Sequence, residues 1–337
     1  MSGLMKLDTE AYKALMKRYI ETRDEQSLYE IEQASKAFIK NNVLPDEIVN
    51  MHIQSLQDLY PNLSEDIQYS MNFLLEAMIA YGIAHQEYQQ LREKQSELKA
   101  EISVAASMQE TLLETKKPNI EGLDIGVISV PAHQMNGDYH HFVKGRDGSL
   151  GIAMADVIGK GIPAALCMSM IKYAMDSYPE DAMTPKAILA NMNRVVERNV
   201  DPSMFITMFY AQYLPSDHTL RYASAGHEPG FYYNSSQDVF VELKTKGLVL
   251  GVTPDTTYPQ YELKIEQGDM VILLTDGVTE CRDGERFIER EEVLDVIKQN
   301  AHLPAQVMVD QTFKYFERLQ DFELRDDFTL LILRREV

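Results

Sequence analysis

The chain has 337 residues, 45% apolar and 25% charged, enough for about two domains, which excludes a mostly disordered or collagen-like protein. Its 52 acidic against 32 basic residues leave a formal charge of −20, a field that repels phosphate backbones and anionic lipid. Nucleic acid and membrane surfaces are therefore poor partners.

The opening MSGLMKLDTE has neither the apolar stretch nor the cleavage site of an export signal. The longest apolar runs, Met270 to Leu274 and Phe328 to Leu333, fall far short of the roughly 20 residues a membrane helix needs. Cys167 and Cys281 form no CxxC pair and suit a reducing cytoplasm, the expected compartment.

Residues 8 to about 84 contain few glycines, and their apolar residues recur at spacings of three and four, which predicts four helices. Thr22 with Glu25 reads as a capping box, Pro45 suits a first helical turn, and Pro61 closes the helix through Ile48, Leu56 and Leu59. On the fourth helix Ile67, Met71, Leu74, Met78 and Tyr81 share one face. That stripe reads as bundle core, although a partner-binding face would have the same pattern.

From Ala84 to Leu112 the positions Ala84, Tyr88, Leu91, Gln95, Leu98, Ile102, Ala105, Gln109 and Leu112 alternate at four and three, a heptad seam. A helix of that length is a rod of roughly 40 Å that needs a covering surface, either a second copy of the chain or its own domain. Gln95 and Gln109 weaken the seam, and homodimerisation through residues 84–112 is the expectation. Lys116-Lys117-Pro118-Asn119 ends the rod. The division so predicted is a helical domain over 1–84, a helical coiled-coil linker over 85–120 and a third region over 121–337.

After residue 120 short β-branched or aromatic runs alternate with turn signals such as Asp147-Gly148 and Gly268-Asp269, which predicts strands. Helical stretches interrupt them from Pro163 to Asp176, from Pro185 to Glu197 and from Glu289 through Leu319. Hairpin-linked strands of this kind make a largely antiparallel α/β or α+β domain.

Within that domain an aspartate recurs at strand edges beside turns: Asp138 in Asn136-Gly137-Asp138-Tyr139, Asp156 before Gly159-Lys160-Gly161, Asp276-Gly277 after Met270 to Thr275, and Asp326-Asp327 ahead of Phe328 to Leu333. One such aspartate is ordinary turn chemistry. Several on one side of a sheet would converge, and two unit charges ~4 Å apart cost about 4 kcal/mol at an effective dielectric of ~20. Protonation or bound cations must relieve that repulsion. Oxygen ligands favour Mg²⁺ or Mn²⁺, and two such ions suit phosphate ester hydrolysis without a protein nucleophile. Ser224-Ala225-Gly226-His227 is no nucleophile elbow, and His227 reads as a loop or hydrogen-bonding residue. The glycines around Lys160 lack Walker spacing, yet the loop could present amides and a cation to an anion.

Taken together, the strings NGDYHHF (136–142), ADVIGKGIPAAL (155–166), FITMFYA (205–211), ASAGHEPG (223–230), TDGVTE (275–280) and DDFTLLIL (326–333) resemble the PPM-type, metal-dependent serine/threonine phosphatase domain of the SpoIIE-like branch. With the N-terminal helices and linker, the whole chain resembles RsbU-type phosphatases of the bacterial general stress response. The resemblance implies an α+β multidomain protein: an N-terminal helical bundle, a long helical linker, and a sandwich of two antiparallel sheets flanked by helices. Carried over by motif, Asp138 and Asp156 would bind both of two Mn²⁺ or Mg²⁺ ions, the carbonyl of Val157 would assist one, and Asp276 with Asp326 would complete the site. Asp326 is preferred to Asp327 because it matches the first acidic residue of the family string. Gly137, Gly277 and Asp327 would support the ligands from behind.

Two departures from the pattern are visible. Asn136 stands where many members have Gly or Ser, with Gly137 keeping the turn. Lys160 lies where eukaryotic relatives place a histidine, so the general acid is open between that lysine and water. The resemblance further implies an RsbT-like activator bound by the N-terminal domain and a phosphoserine RsbV-like anti-sigma antagonist as substrate. The other readings are a catalytically silent docking module, which the intact acidic sites disfavour, and a two-metal nuclease, which the charge disfavours.

Overall fold

The structure is a computed structural model that describes residues 9–41, 43–157, 159, 161–178, 184–201, 204–284 and 286–336. It divides into two compact units, Met1–Lys99 and Ala100–Val337.

The first unit holds α1 (Thr9–Thr22), α2 (Glu25–Lys40), α3 (Pro45–Leu59) and the upstream part of α4 (Glu65–Leu113). Helix α1 packs on α2 and α3, with Phe38 and Ile53 buried. Pro45 occupies the first turn of α3 as expected. The cap of α2 does not sit on Thr22. Asp24 caps it, accepting from Ser27 N at 2.7 Å, while Thr22 ends α1 and bonds back to Arg18 O. Aspartate serves as well as threonine at an N-cap, and the shorter connector decides.

Helix α4 contains no proline and one glycine, Gly82, where a Cβ would come within 3.0 Å of Asp46 Oδ1. With nothing to break it, it runs through residue 84, so the fourth helix and the linker are one element. The stripe read as bundle core is largely uncovered: Ile67, Leu74 and Tyr81 are 45–56% exposed. Further along, Tyr88, Leu91, Leu98 and Leu112 are exposed, whereas Ile102, Ala105 and Leu113 are partly buried and Gln109 is buried.

In the second unit the strands are β1 (Leu123–Val130), β2 (Asp138–Lys144), β3 (Leu150–Val157), β4 (Ile206–Leu214), β5 (Thr219–Ala225), β6 (Phe231–Asn234), β7 (Val239–Glu242), β8 (Tyr261–Lys264), β9 (Met270–Leu274), the short pair β10 (Arg282–Asp283) and β11 (Arg286–Phe287), and β12 (Phe328–Arg335). One sheet has the order β1-β12-β9-β6-β7, the other β2-β3-β4-β5-β8, and every ladder is antiparallel. Alternation along the strands builds the layers. Leu150, Ile152 and Met154 of β3 meet Leu331 and Leu333 of β12 between the sheets. Ala153, Ala155 and Val157 face outward to α5 (Ile162–Asp176) and α6 (Pro185–Asn199). Phe328, Leu330 and Ile332 face α8 (Arg290–Gln299) and α9 (Ala305–Leu319) on the opposite side. The helical stretch expected from Glu289 through Leu319 is thus two helices, parted ahead of Pro304, the N-cap of α9. A one-turn helix, α7 (Asp276–Thr279), follows β9.

Candidate metal centre

The first two acids meet through strand register. Antiparallel pairing of β2 with β3 sets Asp138 directly opposite Asp156, which brings their Cβ atoms to roughly 5 Å. Asp138 is only 2% exposed, and its Oδ2 accepts from Thr275 Oγ1 and Thr329 Oγ1, both at 2.7 Å. Burial drives its pKa well above the carboxylate range; the Thr329 bond opposes this, and the charges of Asp156 and Asp327 add to it. Asp156 is partly buried.

The turn ahead of Asp138 is held by side chains. Asn136 Oδ1 accepts from Asp138 N at 2.9 Å. A Cβ on Gly137 would lie 3.2 Å from Asp327 Oδ2 and 3.6 Å from the carbonyl oxygen of Val157, so this glycine lets both approach. Val157 N donates to Gly137 O.

The other two acids stand at the edge of the second sheet. Asp276 opens α7, and its pKa is pushed up to about 6 by burial and then by the neighbouring Asp326 and Glu280. A Cβ on Gly277 would be 2.0 Å from the Asp327 carbonyl oxygen, so only glycine fits beneath that segment. Asp327 spends both carboxylate oxygens on backbone: Oδ1 accepts from Ala132 N at 2.8 Å and Oδ2 from Gly137 N. It clips the 131–137 turn to the start of β12, and Asp326 is the one of the two adjacent acids whose charge acts on Asp276.

The acids therefore gather as two pairs on two sheets, Asp138 with Asp156 and Asp276 with Asp326, joined where Thr275 and Thr329 reach Asp138. Among the described residues no group of three His, Cys, Asp or Glu side chains forms a finished metal cage. The donor chemistry nonetheless fits a hard divalent cation: it is oxygen throughout, and each pair carries like-charge repulsion that a cation relieves. Lys160, the candidate general acid, lies outside the described residues.

Buried His227, as expected, is a hydrogen-bonding residue. Its Nδ1 is 2.8 Å from Thr207 Oγ1, on β4 opposite Asp156, and burial pushes its pKa down to about 4. Ser224 Oγ accepts from His227 N within the same turn. Both cysteines are buried, and the Cys281 thiol is pushed up to about 12, so neither is a nucleophile. Sequence reasoning missed Thr275 and Thr329. Each adjoins an acidic motif, TDG and DDFT, which is the one signal that could have pointed to them.

Residues 146–336 match the family of Stage II sporulation protein E (SpoIIE), and residues 10–84 match the N-terminal domain of phosphoserine phosphatase RsbU. Phosphoserine phosphatase RsbU of Bacillus subtilis (strain 168) is 54% identical over 326 residues, covering 97% of each chain. The SiaA-PP2C domain of Pseudomonas aeruginosa superposes with a TM-score of 0.62 at 20% identity, over 72% of this chain and 98% of that one. The PP2C phosphatase domain of SpoIIE from Bacillus subtilis, with a fragment of its regulatory domain, does so at 0.53 and 15% identity, over 81% and 99%. These two likenesses concern the fold.

Proposed function

Because the chain belongs to the RsbU family of SpoIIE-type phosphoserine phosphatases, we propose that it hydrolyses phosphoserine on a small regulatory protein, an anti-sigma antagonist of the RsbV kind, in a stress-signalling partner switch. The observation that carries this reading is the Asp138–Asp156 pair: two acids in register, one of them buried and fixed as an acceptor by two threonine hydroxyls. A buried carboxylate with such support is a ligand in waiting.

Asp138 and Asp156 would hold two Mn²⁺ or Mg²⁺ ions, with the Val157 carbonyl assisting, and Asp276 and Asp326 would complete the set. Two such ions supply an activated water at neutral pH and neutralise charge on the phosphoryl oxygens. The chain's own contribution is placement. Thr275 and Thr329 fix the Asp138 rotamer, Gly137 and Gly277 admit the close backbone, and Asp327 ties the turn. Lys160 or water would return the proton to the leaving serine.

The match of residues 10–84 to the RsbU N-terminal domain supports recruitment of an RsbT-like activator by the region 1–84, with 85–120 relaying the signal to 121–337 and 84–112 pairing two copies. The exposed seam positions Tyr88, Leu91 and Leu98 favour that pairing. Among the described residues no helix is long and apolar enough to cross a membrane, and both cysteines are free, which accords with a cytoplasmic site of action.

The deciding experiment measures hydrolysis of an aryl phosphate and of a phosphoserine protein by the full chain, with Mn²⁺, with Mg²⁺ and with chelator. Turnover that requires the metal and is lost in Asp156→Ala supports the reading. Metal-independent turnover overturns it.

A further inference from the structure

Gln109 stands in a row of otherwise apolar positions, Ile102, Ala105 and Leu113, along the end of α4, and it is 4% exposed. An apolar residue would pack there without the cost of desolvating an amide. What the glutamine gains is a double bond to one backbone unit: its Nε2 donates to Asn136 O at 2.7 Å, and its Oε1 accepts from Asn136 N at 3.0 Å. The pairing fixes the orientation of the amide, since a flipped group would set donor against donor.

Asn136 passes the constraint on. Its Oδ1 accepts from Asp138 N, so its Nδ2 must be the donor to Ser129 Oγ at 3.0 Å. Ser129 and Thr329 hydroxyls are 2.9 Å apart, and Thr329 donates to Asp138 Oδ2. With the Thr329 proton committed to the carboxylate, Ser129 is the donor to Thr329. All the bonds of this relay therefore point the same way, from the Asn136 amide through two hydroxyls to Asp138.

We propose that Gln109 is a positioning residue that makes the Asp138 geometry depend on the register of α4. A helix advances 1.5 Å and turns 100° per residue, so a slip or rotation by one position breaks both amide bonds together. A cleft of about 600 Å³ beside this latch, lined by Ser103, Ser107 and Glu110 of α4 and by Gln134 and Asn136, leaves room for the helix end to move. When the latch opens, the 131–137 turn keeps its bonds to Asp327 but loses those to Gln109, and the relay to Asp138 loses its anchor.

This inference rests on the proposed role of Asp138 as a metal ligand, and the test separates the two. Mn²⁺ alone is titrated calorimetrically into the full-length protein, and aryl phosphate hydrolysis is followed against Mn²⁺ concentration. For Gln109→Leu the expected result is weaker Mn²⁺ binding by roughly 10- to 100-fold, the size of effect seen for groups that support ligands, with kcat at saturating Mn²⁺ largely recovered. Gln109→Glu, which keeps the acceptor and loses the donor, should fall between Gln109→Leu and wild type. Met108→Ala, on an exposed position of the same turn, should bind as wild type does. Wild-type Mn²⁺ affinity in folded Gln109→Leu overturns the latch while leaving the phosphatase reading intact. Should Gln109→Leu fail to fold, wild-type affinity in Gln109→Glu does the same. A wild-type protein that neither binds Mn²⁺ nor responds to it overturns the reading beneath both.

Discussion

At the β2–β3 edge Asp138 is buried, opposed in register by Asp156 and held on one oxygen by Thr275 and Thr329; at the α7–β12 edge Asp276 is partly exposed, opens a one-turn helix and has Asp326, Glu280 and Glu228 for neighbours. The first acid is fixed by packing and hydrogen bonds from the facing sheet. The second is half-buried among like charges. A site built this way has a rigid half and an adjustable half, and the adjustable one answers more readily to ions and solvent.

The sharpest break of this contrast is Asp138→Ala. It should cut metal-dependent turnover by more than the roughly 10- to 100-fold expected of supporting residues, while circular dichroism and the melting temperature show a folded domain. Wild-type rates would remove Asp138 from the site. Next, Thr275→Val or Thr329→Val should weaken Mn²⁺ binding by about 10- to 100-fold, because each takes one donor from the rigid acid. No comparable hydroxyl serves Asp276 among the bonds described, so an equal effect on the α7–β12 edge is not expected.

A third comparison separates adjacent acids. Asp326→Ala should abolish metal response with little loss of stability, whereas Asp327→Ala should destabilise the fold by about 2 kcal/mol through its two charge-assisted backbone bonds. Chemical denaturation with parallel Mn²⁺ titration reads both, and reversed outcomes would make Asp327 the ligand.

The last comparison concerns the residue between the two edges, where the change appears only on acidification. His227 touches Thr207, opposite Asp156, and lies by the Leu274 carbonyl ahead of Asp276. Its folded pKa of about 4 lies below the ordinary 6.5, so the unfolded chain takes up the proton first and stability falls as pH drops from 6.5 through 4. The loss is up to about 3 kcal/mol from this residue. His227→Gln should flatten that part of the stability profile relative to wild type, and an unchanged slope would show that the ring is already solvated.

The acids themselves were legible in the sequence because turn chemistry and strand ends are local. Asp138, Asp156, Asp276 and Asp326 each announce themselves beside a glycine or a strand. Thr275 and Thr329 were not legible, since their bonds to Asp138 span 137 and 191 residues and exist only after the two sheets pack. Helical periodicity along α4 correctly marked a covered face at its end, yet it could not say what covers it. Gln109 accordingly read as a flaw in a seam, when it is a satisfied amide against the chain's own turn. The 67–81 stripe failed in the opposite direction: periodicity was present and the cover was not. Thr22 and Asp24 differ by the two-residue margin within which either side chain can cap.

That Asp138 lies on one sheet while its two hydroxyl partners belong to the other has a consequence for how the protein comes to be active. Neither sheet alone carries the candidate site, and the contacts that finish it are among the most distant in the chain, the kind whose loop closure slows folding. Recovery of activity after dilution from denaturant should thus lag behind recovery of secondary structure. A cation bound across the seam would favour the docked sandwich over either half, acting as a ligand of the folded state. The enzyme's own turnover then serves as a clock for the final step of its assembly.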